Sequence, residues 1–230
     1  MLAGSLIERL RRARRDGPTL AVIRHAARHE IAAADMEQAY RTPLTDAGRE
    51  DAAALGALLP TDLRLVHFHS PVPRCADTAA RIAEGFRAAG GTARDGGDLD
   101  ALGAEYVRDA SVVLRSFAVR GRRTFVRDWC SGALGADLIQ EPCAAGRHVL
   151  RTLVDLRSPA PPDELHLHIT HDLTLITLLA LILDPTAPRF PWPPFLDGVV
   201  LSLQPDRVIW HRTAKPVVTD RDGSIRLPTR

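Results

Sequence analysis

The chain has 230 residues, 45% of them apolar, which is enough to bury a substantial core. Its 30 basic and 28 acidic residues leave a formal charge of +2, which argues against a general nucleic-acid binder with a one-signed stripe. Nothing approaches the apolar run of about 20 residues that spans a bilayer, and three cysteines without CxxC spacing indicate neither a disulfide framework nor a cysteine zinc site.

Residues 1–15 set Leu2, Leu6 and Leu10 at helical spacing among Arg9, Arg11, Arg12, Arg14 and Arg15, which predicts an amphipathic surface helix. The charges follow the short apolar stretch, whereas a signal peptide places them first, so the expected location is the cytoplasm. Leu20-Ala21-Val22-Ile23 reads as the first strand. A helix is expected over about 46–59, with Thr45 as N-cap and Pro60 as its stop. A strand at 63–68 and a helix at 72–89, ended by Gly90-Gly91, come next.

Residues 92–146 carry scattered glycines and no long clear strand, which predicts a mainly helical insertion. A helix at 144–156 then leads through a stiff proline linker at 158–162 to a third strand at 165–170 and a buried helix at 173–183. Residues 190–195, proline-locked and aromatic, read either as a wall beside a ligand or as a cover for the sheet edge. Segments 199–203 and 208–212 predict a hairpin, and Asp222-Gly223 a further turn. This alternation predicts an α/β fold of three layers, a mainly parallel central sheet flanked by helices, as a single domain over 1–230 with a small helical cap at about 92–146.

Three short stretches each follow one of the predicted site strands: Arg24-His25-Ala26-Ala27-Arg28, Ser70-Pro71-Val72-Pro73-Arg74-Cys75 and His171-Asp172. In open α/β sheets, ligands bind beyond the carboxyl ends of strands. Guanidinium forks hold phosphate oxygens bidentately and stay charged. A neutral imidazole can attack phosphorus in line to give a phosphohistidine that water hydrolyses, while a nearby acid protonates the leaving alcohol. Taken singly, the arginines could form ordinary ion pairs and the His-Asp pair could open a helix. Together, in this order and each after a strand, they point to phosphoryl transfer.

At these residues the chain resembles the histidine phosphatase superfamily, over most of residues 20–183. Arg28 and the pairing of the late His171 with Asp172 resemble its acid phosphatase and phytase branch more than its cofactor-dependent mutase branch. Pro43-Leu44-Thr45-Asp46-Ala47-Gly48-Arg49 is similar to the Leu-Thr-x-x-Gly segment of the family. Two positions depart from the pattern: Ala26 stands where the family has Gly, and His29-Glu30 where it has a proline turn. The resemblance implies His25 as nucleophile, Arg24, Arg28, Arg74 and His171 as phosphate ligands, and Asp172 as acid, with Glu105 as the alternative acid. It implies no cofactor and no metal. The expected partner is a small-molecule phosphate ester, with neither nucleic acid nor membrane.

Three other readings remain at this point. A phosphomutase of the same fold would pass the phosphoryl group to a bound alcohol. A metal-dependent hydrolase would use the His166/His168/His171 cluster, which approaches His-x-His-x-Asp-His but has Thr170 in place of Asp. A non-catalytic binder of phosphorylated ligands would need only the arginines. Cys75 beside Arg74 reads as a small buried thiol in a helix turn.

Overall fold

The computed structural model describes residues 2–31, 36–157, 161, 163–184, 190–212 and 216–225. Among them a seven-stranded sheet runs in the order β3-β2-β4-β1-β5-β6-β7. Its strands are Thr19–Arg24 (β1), Arg64–His69 (β2), Thr92–Asp98 (β3), Glu164–Thr170 (β4), Gly198–Leu203 (β5), Arg207–Trp210 (β6) and Val217–Asp220 (β7). The first four in spatial order are mutually parallel and the last three continue antiparallel. This is the α/β fold with a mainly parallel central sheet that the alternation of elements predicts.

Strand periodicity sorts the two cores. Ala21 and Ile23 of β1, with Leu65, Leu167 and Ile169, face one layer; Leu20 and Val22, with Val66 and Phe68, face the other. Leu2–Ala13 (α1), Asp46–Leu58 (α3) and Pro73–Ala88 (α4) supply the first layer. Pro142–Arg157 (α6) and Asp172–Ala180 (α7) supply the second. Met36–Arg41 (α2) is a short helix near the site, and Ala110–Cys130 (α5) forms most of a cap whose core includes Phe125, Trp129 and Tyr106.

Several local expectations hold. Thr45 caps α3 through its hydroxyl, which accepts from the Gly48 N–H. The 199–203/208–212 hairpin forms as β5 and β6, and Gly223 takes a left-handed φ of 88° in the predicted turn. No helix among the described residues is long and apolar enough to cross a membrane. The expected linker at 158–162 lies, except for Pro161, outside the described residues.

The expected helical insertion at 92–146 needs correction at both ends. Residues 92–98 form β3, an edge strand parallel to β2 with an irregularity at Gly96, and α6 already begins at Pro142. The excursion from the sheet therefore runs from 99 to 141. Inside it, α5 consists of two helical pieces meeting at Gly121, whose φ of 72° and ψ of 161° are not helical.

Helices α3 and α4 cross at paired glycines. A Cβ on Gly56 would stand 2.0 Å from the Ile82 carbonyl, and one on Gly85 would stand 1.9 Å from that of Ala53. Gly85→Ala gains about 1 kcal/mol of helix propensity, but it must push two backbones apart, and overpacking costs about 1–3 kcal/mol or more. A net loss of stability is expected, read as a lower urea midpoint at unchanged m-value.

Candidate active site

Because β4 lies between β1 and β2 and all three are parallel, their carboxyl ends meet in one place. Backbone hydrogen bonds fix the three exits against each other: the His25 N–H donates to Thr170 O (2.9 Å) and the Ser70 N–H to Ile169 O (2.9 Å). A cleft of about 250 Å³ opens there, and Arg24, His25, Arg28, Arg74, His171 and Asp172 all line it.

His25 is 2% exposed. Its Nδ1–H donates to the Ala26 carbonyl at 2.7 Å, which leaves Nε2 with a lone pair, and Arg74 Nε donates to that atom at 3.1 Å. Burial, then the neighbouring His171 and Arg74, hold the His25 pKa well below the ordinary imidazole value. His171 is the N-cap residue of α7 and meets His25 edge-on, with ring centroids 5.5 Å apart. Its Nδ1 accepts from Arg74 at 3.2 Å and its Nε2–H donates to the Ser70 hydroxyl at 3.0 Å. Burial and the three arginines push its pKa down to about 3. Both imidazoles are therefore neutral.

The arginines are held by backbone and by one acid. Arg24 forms an ion pair with Asp172 (2.7 Å), donates to the Pro193 carbonyl (3.0 Å) and lies 4.0 Å over the Phe195 ring. Arg74 donates to the Ala39 carbonyl at the end of its reach (2.7 Å), and Arg28 to that of His29 (2.7 Å). Burial lowers the pKa of all three, and Asp172 partly offsets this for Arg24. Arg122 of α5, over the ring of Trp192 at 5.2 Å, adds further positive potential at Arg24 and Arg28.

The Arg24–Arg28 loop is shaped by its neighbours. Thr45 N donates to Ala27 O (3.0 Å), Leu44 bridges Arg28, and a Cβ on Gly48 would stand 2.2 Å from Ala27 O. The Leu-Thr-x-x-Gly segment thus seats the loop that carries Arg28. Ala26 has an ordinary negative φ and is fully buried, and its N–H donates to the Thr78 hydroxyl (3.1 Å), so alanine fits there without strain.

Other expected residues lie elsewhere. Glu105 points to His148 at 3.7 Å on the outer surface and does not line the cleft. His166 and His168 face the second core layer, beside Glu164 and stacked on Phe68 respectively, and do not converge with His171. No three metal-ligating side chains cluster among the described residues. Cys75 is buried and its thiol is pushed up to about 12, so it stays protonated. Residues 190–195 do not line the cleft itself but stand behind its floor: Pro193 and Phe195 clamp Arg24, Phe195 also lies 5.6 Å from the His25 ring, and Trp192 packs on Phe117 of the cap. Ser70 carries a role that its motif did not reveal, and Thr78, Ala39 and Pro193 gave no signal, the last two because they act through carbonyls.

Residues 20–93 match the family model described as histidine phosphatase superfamily (branch 1). The acid phosphatase and phytase branch expected from Arg28 and the His171–Asp172 pair finds no support in that match. Similar folds occur in a mycobacterial glucosyl-3-phosphoglycerate phosphatase (18% identity, 82% of this chain and 91% of that one, TM-score 0.56). They occur also in mycobacterial hydrolase 2 (17%, 92% and 93%, 0.56) and in YhfR of Bacillus stearothermophilus (19%, 91% and 98%, 0.52). No curated protein sequence matches the chain at significant similarity. The matched segment carries β1, His25, Arg28, Arg74 and the start of β3. The α/β fold shared with these structures is therefore the frame in which the cleft is built.

Buried His168, on the second-layer side of the sheet, is expected to make stability depend on pH. Burial, then His166, pushes His168 down to about 3, while an unfolded imidazole titrates near about 6.5. Between these values the unfolded chain binds a proton that the folded chain refuses, so stability rises with pH across this window and levels off above it. His168 alone supplies a slope of up to about 1.4 kcal/mol per pH unit. Denaturant midpoints are expected to fall from pH 7 to pH 5, and His168→Gln should flatten that dependence.

Proposed function

We propose that the protein is a histidine phosphatase: a metal-independent phosphomonoesterase that acts on a small phosphorylated metabolite through phosphorylated His25. The observation that carries this reading is the state of His25, a neutral imidazole with Nδ1–H fixed on a carbonyl and Nε2 turned to a ring of guanidinium groups. Nε2 attacks phosphorus, the bond from phosphorus to the leaving oxygen breaks, and Arg24, Arg28 and Arg74 hold the three remaining oxygens, joined by His171 once its Nε2–H turns from the Ser70 hydroxyl to the phosphoryl group. Asp172 delivers the proton to the leaving oxygen. A phosphate dianion competes with Asp172 for Arg24, which frees the carboxyl to face the leaving oxygen. Water then attacks the phosphohistidine, its proton passes to Asp172, and the nitrogen–phosphorus bond breaks to restore neutral His25 with release of inorganic phosphate.

The test is hydrolysis of para-nitrophenyl phosphate over pH 4–8, with and without EDTA, following inorganic phosphate. Activity is expected to survive EDTA and to fall at least about 10⁴-fold in His25→Ala, since a covalent nucleophile is lost; full activity in that variant would sink the assignment. Asp172→Asn should lower kcat/KM, which reads only the steps up to departure of the leaving group, about 10²-fold or more on an alkyl phosphate, the usual worth of a general acid. It should cost much less on para-nitrophenyl phosphate, whose leaving group departs without a proton. Equal losses on both esters would remove Asp172 from the acid role.

A further inference from the structure

The cleft is divided by chemistry. Its charged and imidazole groups form the floor, whereas its other lining side chains among the described residues are apolar or aromatic, including Met36, Val72, Val113, Leu114 and Phe117. The two hydroxyls in these walls are already engaged: Tyr40 Oη donates to Pro71 O (3.2 Å), and buried Tyr106 Oη pairs with Thr174 Oγ1 (3.2 Å). Met36 and Tyr40 remain 39% and 47% exposed at the mouth, leaving apolar surface for an incoming group to cover. Ligand clefts usually run upward from about 300 Å³, so about 250 Å³ marks a compact occupant.

We propose that these walls select a phosphate ester whose alcohol is apolar, a short aryl-alkyl or alkyl group, over sugar and polyol phosphates; this rests on the phosphatase reading above. A sugar would bring several hydroxyls to walls that, among the described residues, offer them little beyond the remaining lone pairs of Tyr40 Oη, and burying unpaired hydroxyls is costly. An apolar alcohol gains by the same contact. The wall is built from two sources, α2 on one side and the first half of α5 on the other, so the preference is set by the cap together with the body.

The experiment compares 2-phenylethyl phosphate with glucose 6-phosphate, two esters of primary alcohols, so that the ratio of kcat/KM reads the cleft rather than leaving-group reactivity. The wild-type ratio is expected to be at least tenfold in favour of 2-phenylethyl phosphate. It should narrow at least fivefold in the double variant Met36→Asn/Leu114→Asn, with folding checked by circular dichroism. A ratio near one or reversed would overturn the proposal while leaving the phosphatase reading intact, and an unchanged ratio in a folded double variant would overturn it equally. If neither ester is hydrolysed, para-nitrophenyl phosphate decides the phosphatase reading, which fails if that ester too is untouched. Calorimetric titration of the wild type with both esters then decides the proposal: tenfold tighter binding of 2-phenylethyl phosphate upholds it, and equal binding overturns it.

Discussion

Crowding of positive charge is the constraint on which the site depends. Three guanidinium groups and two imidazoles share one small cleft with a single carboxylate among the described lining residues, Asp172. Burial disfavours a proton on either imidazole and the neighbouring arginines add to that, so both histidines stay neutral. The same crowding dictates the surroundings. Arg24 and Arg74 have lost much of their water and donate to the carbonyls of Pro193 and Ala39, which fix their direction, although the buried Nε of Arg24 finds no partner among the described residues. A field assembled in advance needs no reorganisation when a dianion arrives.

The scaffold answers that constraint by order rather than by strength of any one contact. Placing β4 between β1 and β2 puts three chain exits within hydrogen-bonding distance of one another. Close glycine contacts then draw α3 and α4 onto each other, and Gly48 brings α3 against the Ala27 backbone. The loop bearing Arg28 is therefore positioned by helix packing on one side and by the sheet on the other.

The site strands were legible because each is a short apolar or alternating run that ends in a motif of charged and imidazole side chains. The sequence Thr92-Ala93-Arg94-Asp95-Gly96-Gly97-Asp98 hid a strand, since it is polar and glycine-bearing; it pairs with β2 alone, and an edge needs little apolar content to form. Carbonyl partners were unreadable for a different reason: every residue type carries one, so Ala39 and Pro193 leave no mark. Ala26 looked like a departure from the family glycine, yet its conformation is one that any residue adopts. His166 and His168 looked like ligands by spacing, but alternation turned them under the helices, away from the strand end where His171 sits.

The composition of β3 has a bearing on how copies of the chain meet. An open strand edge is a template on which another chain can add a strand. Here that edge carries Arg94, Asp95 and Asp98, is largely exposed, and loses its regular register beside Gly96. Desolvating those charges against a second backbone would cost more than the few remaining ladder hydrogen bonds return. The polar, glycine-broken run that disguises the strand in the sequence thus also guards the sheet against edge-to-edge aggregation.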